Sequence, residues 1–143
     1  MLEKEIEFMF IEHLEGRVHL CIDIMPGERY TSHEVGVMTR NNNYVSFHLD
    51  TKNNMILYES QFAYKDDHLM DVNLIKAIKE EFKNEDSPFH FVTTCDEHNG
   101  LNLCGLIDKD QITPVFLDRV VDYLSDPSPF LKKLMMIPNE SNN

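Results

Sequence analysis

The chain has 143 residues, of which 25 are acidic and 13 basic, giving a net charge of −12 and a pI near 4.8. Its length and a 42% hydrophobic share suit a single domain over residues 1–137, with a frayed tail at 138–143. Acid excess in every part of the chain excludes a phosphate-gripping surface, so no nucleic-acid partner is expected.

Met1-Leu2-Glu3-Lys4-Glu5 lacks the basic segment and apolar core of a secretory signal. No apolar run approaches the roughly 20 residues of a membrane span. Three cysteines, Cys21, Cys95 and Cys104, are too few for a disulfide-stapled scaffold. Together these features predict a cytoplasmic protein with no membrane partner.

Residues 1–15 read two ways. Leu2, Ile6, Phe10 and Leu14 fall on one helical stripe, with Gly16 placed to follow the helix end. Ile6, Phe8 and Phe10 also alternate as in a strand, with Glu15-Gly16 as a turn. Val18, Leu20, Ile22 and Ile24 then alternate with polar residues, which predicts a half-buried strand ended by Met25-Pro26-Gly27.

Residues 34–62 predict a three-stranded antiparallel meander. Val35 and Val37, then Val45, Phe47 and Leu49, then Met55 to Tyr58 are its apolar runs. Asn41-Asn42-Asn43 and Asp50 to Asn54 are its loops, where Asn tolerates positive φ. Asp71 can cap a helix to about residue 83, with Leu74, Ile75, Ile78 and Phe82 on the apolar face. Asn84 to Pro88 ends it.

Two strands, about 89–95 and 101–107, follow around His98-Asn99-Gly100-Leu101. Asn-Gly predicts a two-residue hairpin turn. That turn would set Cys95 directly opposite Cys104, at a spacing of about 4.5 Å that a disulfide accepts. The pair then reads as a redox couple, as two thiolates of a metal site, or as two small apolar side chains on a buried face beside Phe91 and Leu106. His98 would point to the other sheet face, which weighs against the metal.

Thr113-Pro114 opens a C-terminal helix carrying Phe116, Leu117, Val120, Val121 and Leu124. Ser128-Pro129 opens a shorter one with Phe130, Leu131, Leu134 and Met135. The fold class expected is therefore α+β: a mainly antiparallel sheet, meander plus hairpin, with a middle helix and C-terminal helices.

No zinc spacing occurs among the seven histidines, and no metal or cofactor is expected. Ser46, His48 and Asp50 share one strand face, but Ser46 and His48 lie nearly 7 Å apart along it, from about 3.3 Å rise per residue. That spacing predicts no hydrogen bond between them and no catalytic triad.

From residue 34 onward the order resembles the type III secretion chaperone fold, shared by the YbjN-like proteins. The resemblance runs through Asn54-Met-Ile-Leu-Tyr58, Leu74-Ile-Lys-Ala-Ile78, the strand pair about Asn99-Gly100, and Phe116-Leu-Asp-Arg-Val-Val-Asp-Tyr-Leu124. It implies a dimer that holds part of a secreted effector in extended form.

The leading expectation is a non-enzymatic, acidic protein-binding adaptor. Phe116, Leu117, Val120 and Val121 would contribute to its partner-binding patch or to the core. An immunity protein or small inhibitor is the alternative, with Asp118, Asp122 and Asp126 covering a basic toxin or enzyme. A thiol or metal protein using Cys95 and Cys104 is the third.

Overall fold

The computed structural model describes residues 2–24, 33–50, 52–63, 72–95 and 100–140. Helix α1 (Leu2–Leu14) resolves the ambiguity at the start in favour of the helical stripe. Phe10 and Leu14 are fully buried, and Gly16 adopts φ +83°, the left-handed conformation that suits the residue after a helix.

Strands β1 (His19–Ile24), β2 (His33–Met38), β3 (Tyr44–Asp50) and β4 (Met55–Ala63) form an antiparallel meander. Helix α2 (Val72–Phe82) buries Ile78 and Phe82, and the proposed cap Asp71 lies outside the described residues. Strands β5 (Phe91–Cys95) and β6 (Gly100–Asp108) complete one six-stranded antiparallel sheet in the order β1-β2-β3-β4-β6-β5.

Helix α3 (Pro114–Ser125) starts where its signals place it, with Thr113 Oγ1 accepting from Phe116 N at 3.2 Å. Helix α4 (Pro129–Glu140) begins likewise, with Ser128 Oγ accepting from Leu131 N at 3.2 Å. It continues past Pro138 to Glu140, where a tail was expected. Residues 141–143 lie outside the described ones.

Side-chain alternation gives the sheet an inner and an outer face. Val35, Val45, Phe47, Tyr58, Leu103 and Ile107 face inward and pack with the helices. An aromatic column ties the layers: Phe10 to Phe47 at 4.9 Å, Phe47 to Tyr58 at 5.8 Å, and Tyr58 to Phe116 at 5.2 Å between ring centroids.

The hairpin register differs from the sequence expectation. Cys95 pairs with Gly100, and Cys104 pairs with Phe91. Gly100 is thus a strand residue rather than part of a two-residue turn, and the two cysteines are four residues out of register. At about 3.3 Å per residue that is some 13 Å along the strands, which excludes a disulfide between them and the paired-thiolate metal site. The physical reason is a tertiary clasp. Tyr58 crosses Gly105 on β6 and donates its hydroxyl to Pro88 O at 2.6 Å, which anchors the lead-in to β5.

Candidate protein-interaction surfaces

The apolar residues singled out on α3 divide by burial. Leu117, Val120 and Val121 are core residues, and Phe116 is half-buried against Tyr58. Their stripe is used inside the molecule, because α3 must cover the inner face of the sheet. The side chains that α3 leaves to solvent include Val115, 72% exposed, with Arg119 and Asp122.

The three aspartates fall into two groups. Asp118 joins α3 to α1: its Oδ1 accepts from Arg17 at 2.8 Å and lies 2.9 Å from His13 Nε2. The Arg17 hydrogen bond, helped by His13, holds its carboxyl below the ordinary carboxylate range. Asp122 and Asp126 line an open cleft of about 540 Å³ with Asp86, Pro88, Arg119 and Tyr123. Glu85 accepts from the cleft's Tyr123 Oη at 2.8 Å and from Ser128 Oγ. Burial of the phenol, and then its hydrogen bond to Glu85, push the Tyr123 hydroxyl upward.

The outer face carries groups the sequence reading did not assign to a surface. Cys104 is buried there, but Phe91 and Leu106, expected to share its burial, are 42% and 46% exposed. Leu57, opposite Leu106 on β4, is exposed as well. The exposure of Phe91 follows from its place on the edge strand β5, with one strand neighbour instead of two. Burial pushes the Cys104 thiol up, so it is held away from the thiolate form.

Ser46 and His48 do meet, against expectation: Ser46 Oγ lies 3.3 Å from His48 Nε2. The imidazole reaches back along the strand across a distance the Cα spacing leaves open. The third member is engaged elsewhere, since Asp50 accepts from Lys52 N, Asn53 N and Asn53 Nδ2 in its own turn. Ser46 is itself buried, so it offers no accessible nucleophile to a Ser46-His48-Asp50 triad. Among the described residues no cluster of His, Cys, Asp and Glu could hold a metal, and no helix is long and apolar enough to cross a membrane.

No family model and no curated relative matches the sequence. Solved structures do match its fold. A chain of the HopA1-SchA chaperone-effector complex superposes with a TM-score of 0.60 at 9% identity, covering 96% of this chain and 94% of the other. A chain of the ExsC-ExsE complex gives 0.61 at 12% identity, covering 94% and 96%. The fold is type III secretion chaperone-like, as the order of elements from residue 34 implied, and the likeness extends to α1 and β1.

Proposed function

We propose that this protein is a non-enzymatic, cytoplasmic adaptor that holds a segment of another protein in extended form, in the manner of a secretion chaperone. The observation that carries the reading is the near full-length likeness in fold to a chain from a chaperone-effector complex. The sheet supports it. β1 and β5 stand at its two ends, and an edge strand offers N–H and C=O groups to an added strand. A homodimer is part of the proposal, as the resemblance in fold to the secretion chaperones implies. The partner is a protein, a secreted effector in the first reading.

One observation favours a second reading. Asp86, Asp122 and Asp126 line one cleft, with Arg119 the one cation among its lining residues. That arrangement suits an immunity protein or inhibitor covering a basic toxin or enzyme. In both readings Asp122 and Asp126 meet the partner, whereas Phe116, Leu117, Val120 and Val121 hold the helix that presents them.

A tagged pull-down from native lysate, run at low and high salt with mass spectrometry, separates the two. One partner retained at high salt supports the adaptor, whose contacts are mainly apolar. A basic partner lost with salt supports the inhibitor, since exposed charges are screened within about 8–10 Å. Capture of nothing at either salt overturns both.

A further inference from the structure

Resting on the partner-binding reading, we infer that the outer face at the β4–β6–β5 end is a docking surface for a protein segment that presents an arginine beside an apolar residue. Strand register sets its layout in adjacent rows on one face. Leu57 lies opposite Leu106, Glu59 is opposite Cys104 with Phe91 on the far side, and Gln61 is opposite Asn102 with Thr93 beyond. The Thr93 Oγ1 to Cys104 Sγ contact of 3.6 Å confirms that these rows share a face.

Two features of this lattice call for a ligand. Asn102 is only 9% exposed, and its Oδ1 is buried with no hydrogen-bond partner. Buried acceptors are nearly always paired, so one left open gains from a donor that a partner supplies. Beside it, Leu57, Phe91 and Leu106 leave exposed apolar area on the same face.

Arginine fits both features. Glu59 and Asn102 are diagonal neighbours on adjacent strands, about 7–8 Å apart at the backbone. A planar guanidinium carries five donors in a fixed fork and can give one to the Glu59 carboxylate and another to Asn102 Oδ1. Gln61, opposite Asn102 on β4, is itself exposed. An apolar neighbour of that arginine then lies on Leu57, Leu106 and Phe91.

Charge argues against a second copy as the occupant. Asp50, Met55 and Asp108 form the next row beyond Leu57 and Leu106, so the patch has carboxylates on both flanks. Two such faces, on chains of net charge −12, would set carboxylates against each other.

The test is an NMR titration of the labelled full-length protein with the peptide acetyl-Leu-Arg-Leu-Arg-amide, beside acetyl-Leu-Glu-Leu-Glu-amide. The arginine peptide is expected to shift the amides of Leu57, Glu59, Asn102 and Cys104, and the glutamate peptide to leave them in place. Glu59→Gln should weaken binding by about three- to tenfold. Leu106→Asp, at an exposed site, should abolish it with the circular dichroism unchanged.

Shifts located elsewhere, equal response to both peptides, or indifference to Glu59→Gln would overturn the proposal. So would a dimer in sedimentation that Leu106→Asp dissociates, since the face would then belong to a second copy. A lysate partner captured equally by wild type and both variants sinks this surface and leaves the adaptor reading standing. A wild type that captures nothing sinks the adaptor reading, while the titration still decides this face.

Discussion

Asn43 and Leu124 lie 81 residues apart in sequence and share a 2.8 Å hydrogen bond from Asn43 Nδ2 to the Leu124 carbonyl. Asn41 Nδ2 donates to the same oxygen at 2.9 Å. Leu124 is in the last turn of α3, whose carbonyls have no partner within the helix. The β2–β3 loop therefore caps α3 from outside. Asn42, between the two, takes φ 67°, so one asparagine shapes the turn while its neighbours bind the helix.

Asn43→Ala removes a buried donor and should destabilise the fold by about 1–2 kcal/mol. Asn41 is exposed, and its replacement by Ala should cost less. Urea unfolding of both variants checks the order. Equal and negligible losses would mean that the loop does not hold α3.

Gly105→Ala should be more damaging than either. A Cβ there would stand 2.0 Å from Tyr58 Cζ and 2.2 Å from its Oη, and Tyr58 is fully buried with no room to withdraw. Overpacking of this kind costs about 1–3 kcal/mol. Tyr58→Phe keeps the ring and leaves the Pro88 carbonyl without its 2.6 Å donor, so a loss of about 1–2 kcal/mol is expected. Chemical denaturation measures both, and a neutral Gly105→Ala would mean that β6 does not run beneath the Tyr58 ring.

Tyr58 also predicts alkaline sensitivity. Burial pushes its hydroxyl up from 10.0 to about 12. The unfolded chain therefore releases this proton before the folded one does. Its stabilising contribution is complete below pH 10 and is lost as pH rises through about 12. Unfolding followed between pH 9 and 12 should show this fall, and Tyr58→Phe should make it shallower, leaving the part that comes from Tyr123, whose hydroxyl is pushed up as well.

Asp118 works at the other end of the scale. Its folded carboxyl is depressed by Arg17 and then His13, so its contribution is present above the ordinary value of 3.8 and is lost as pH falls below that. Because the pair is largely exposed, the effect should stay under about 1 kcal/mol and shrink with salt. Acid unfolding of Asp118→Asn against wild type measures it. A difference that persists undiminished in high salt would show that the contact is not an ion pair.

Legibility followed periodicity and capping. Leu74 to Phe82, Thr113-Pro114 and Ser128-Pro129 announced their helices because spacing and caps are local properties. Residues 2–14 carried two periods at once, and only packing of Phe10 against Phe47 selects the helix. The outer face stayed hidden because alternation shows that a strand has two faces but not which one the helices cover. Its open acceptor at Asn102 depends on three strands in register, which no local pattern encodes.

The hairpin shows that limit most sharply and gives the last prediction. A slip of four residues keeps every side chain of β5 and β6 on its own face, so hydrophobic alternation cannot choose between the register implied by Asn99-Gly100 and the observed one. The choice falls to a contact from outside the hairpin, the Tyr58 bond to Pro88; His90 N, donating to Cys104 O at 2.7 Å, continues the register so chosen. Oxidation of the folded protein with diamide, followed by peptide mapping, should therefore yield no bridge between Cys95 and Cys104. Cys104, buried and with its thiol pushed up, should label slowly with a thiol reagent until denaturant is added. A Cys95–Cys104 bridge in high yield from folded protein would place the two side by side and set Phe91 opposite Asp108 instead of Cys104.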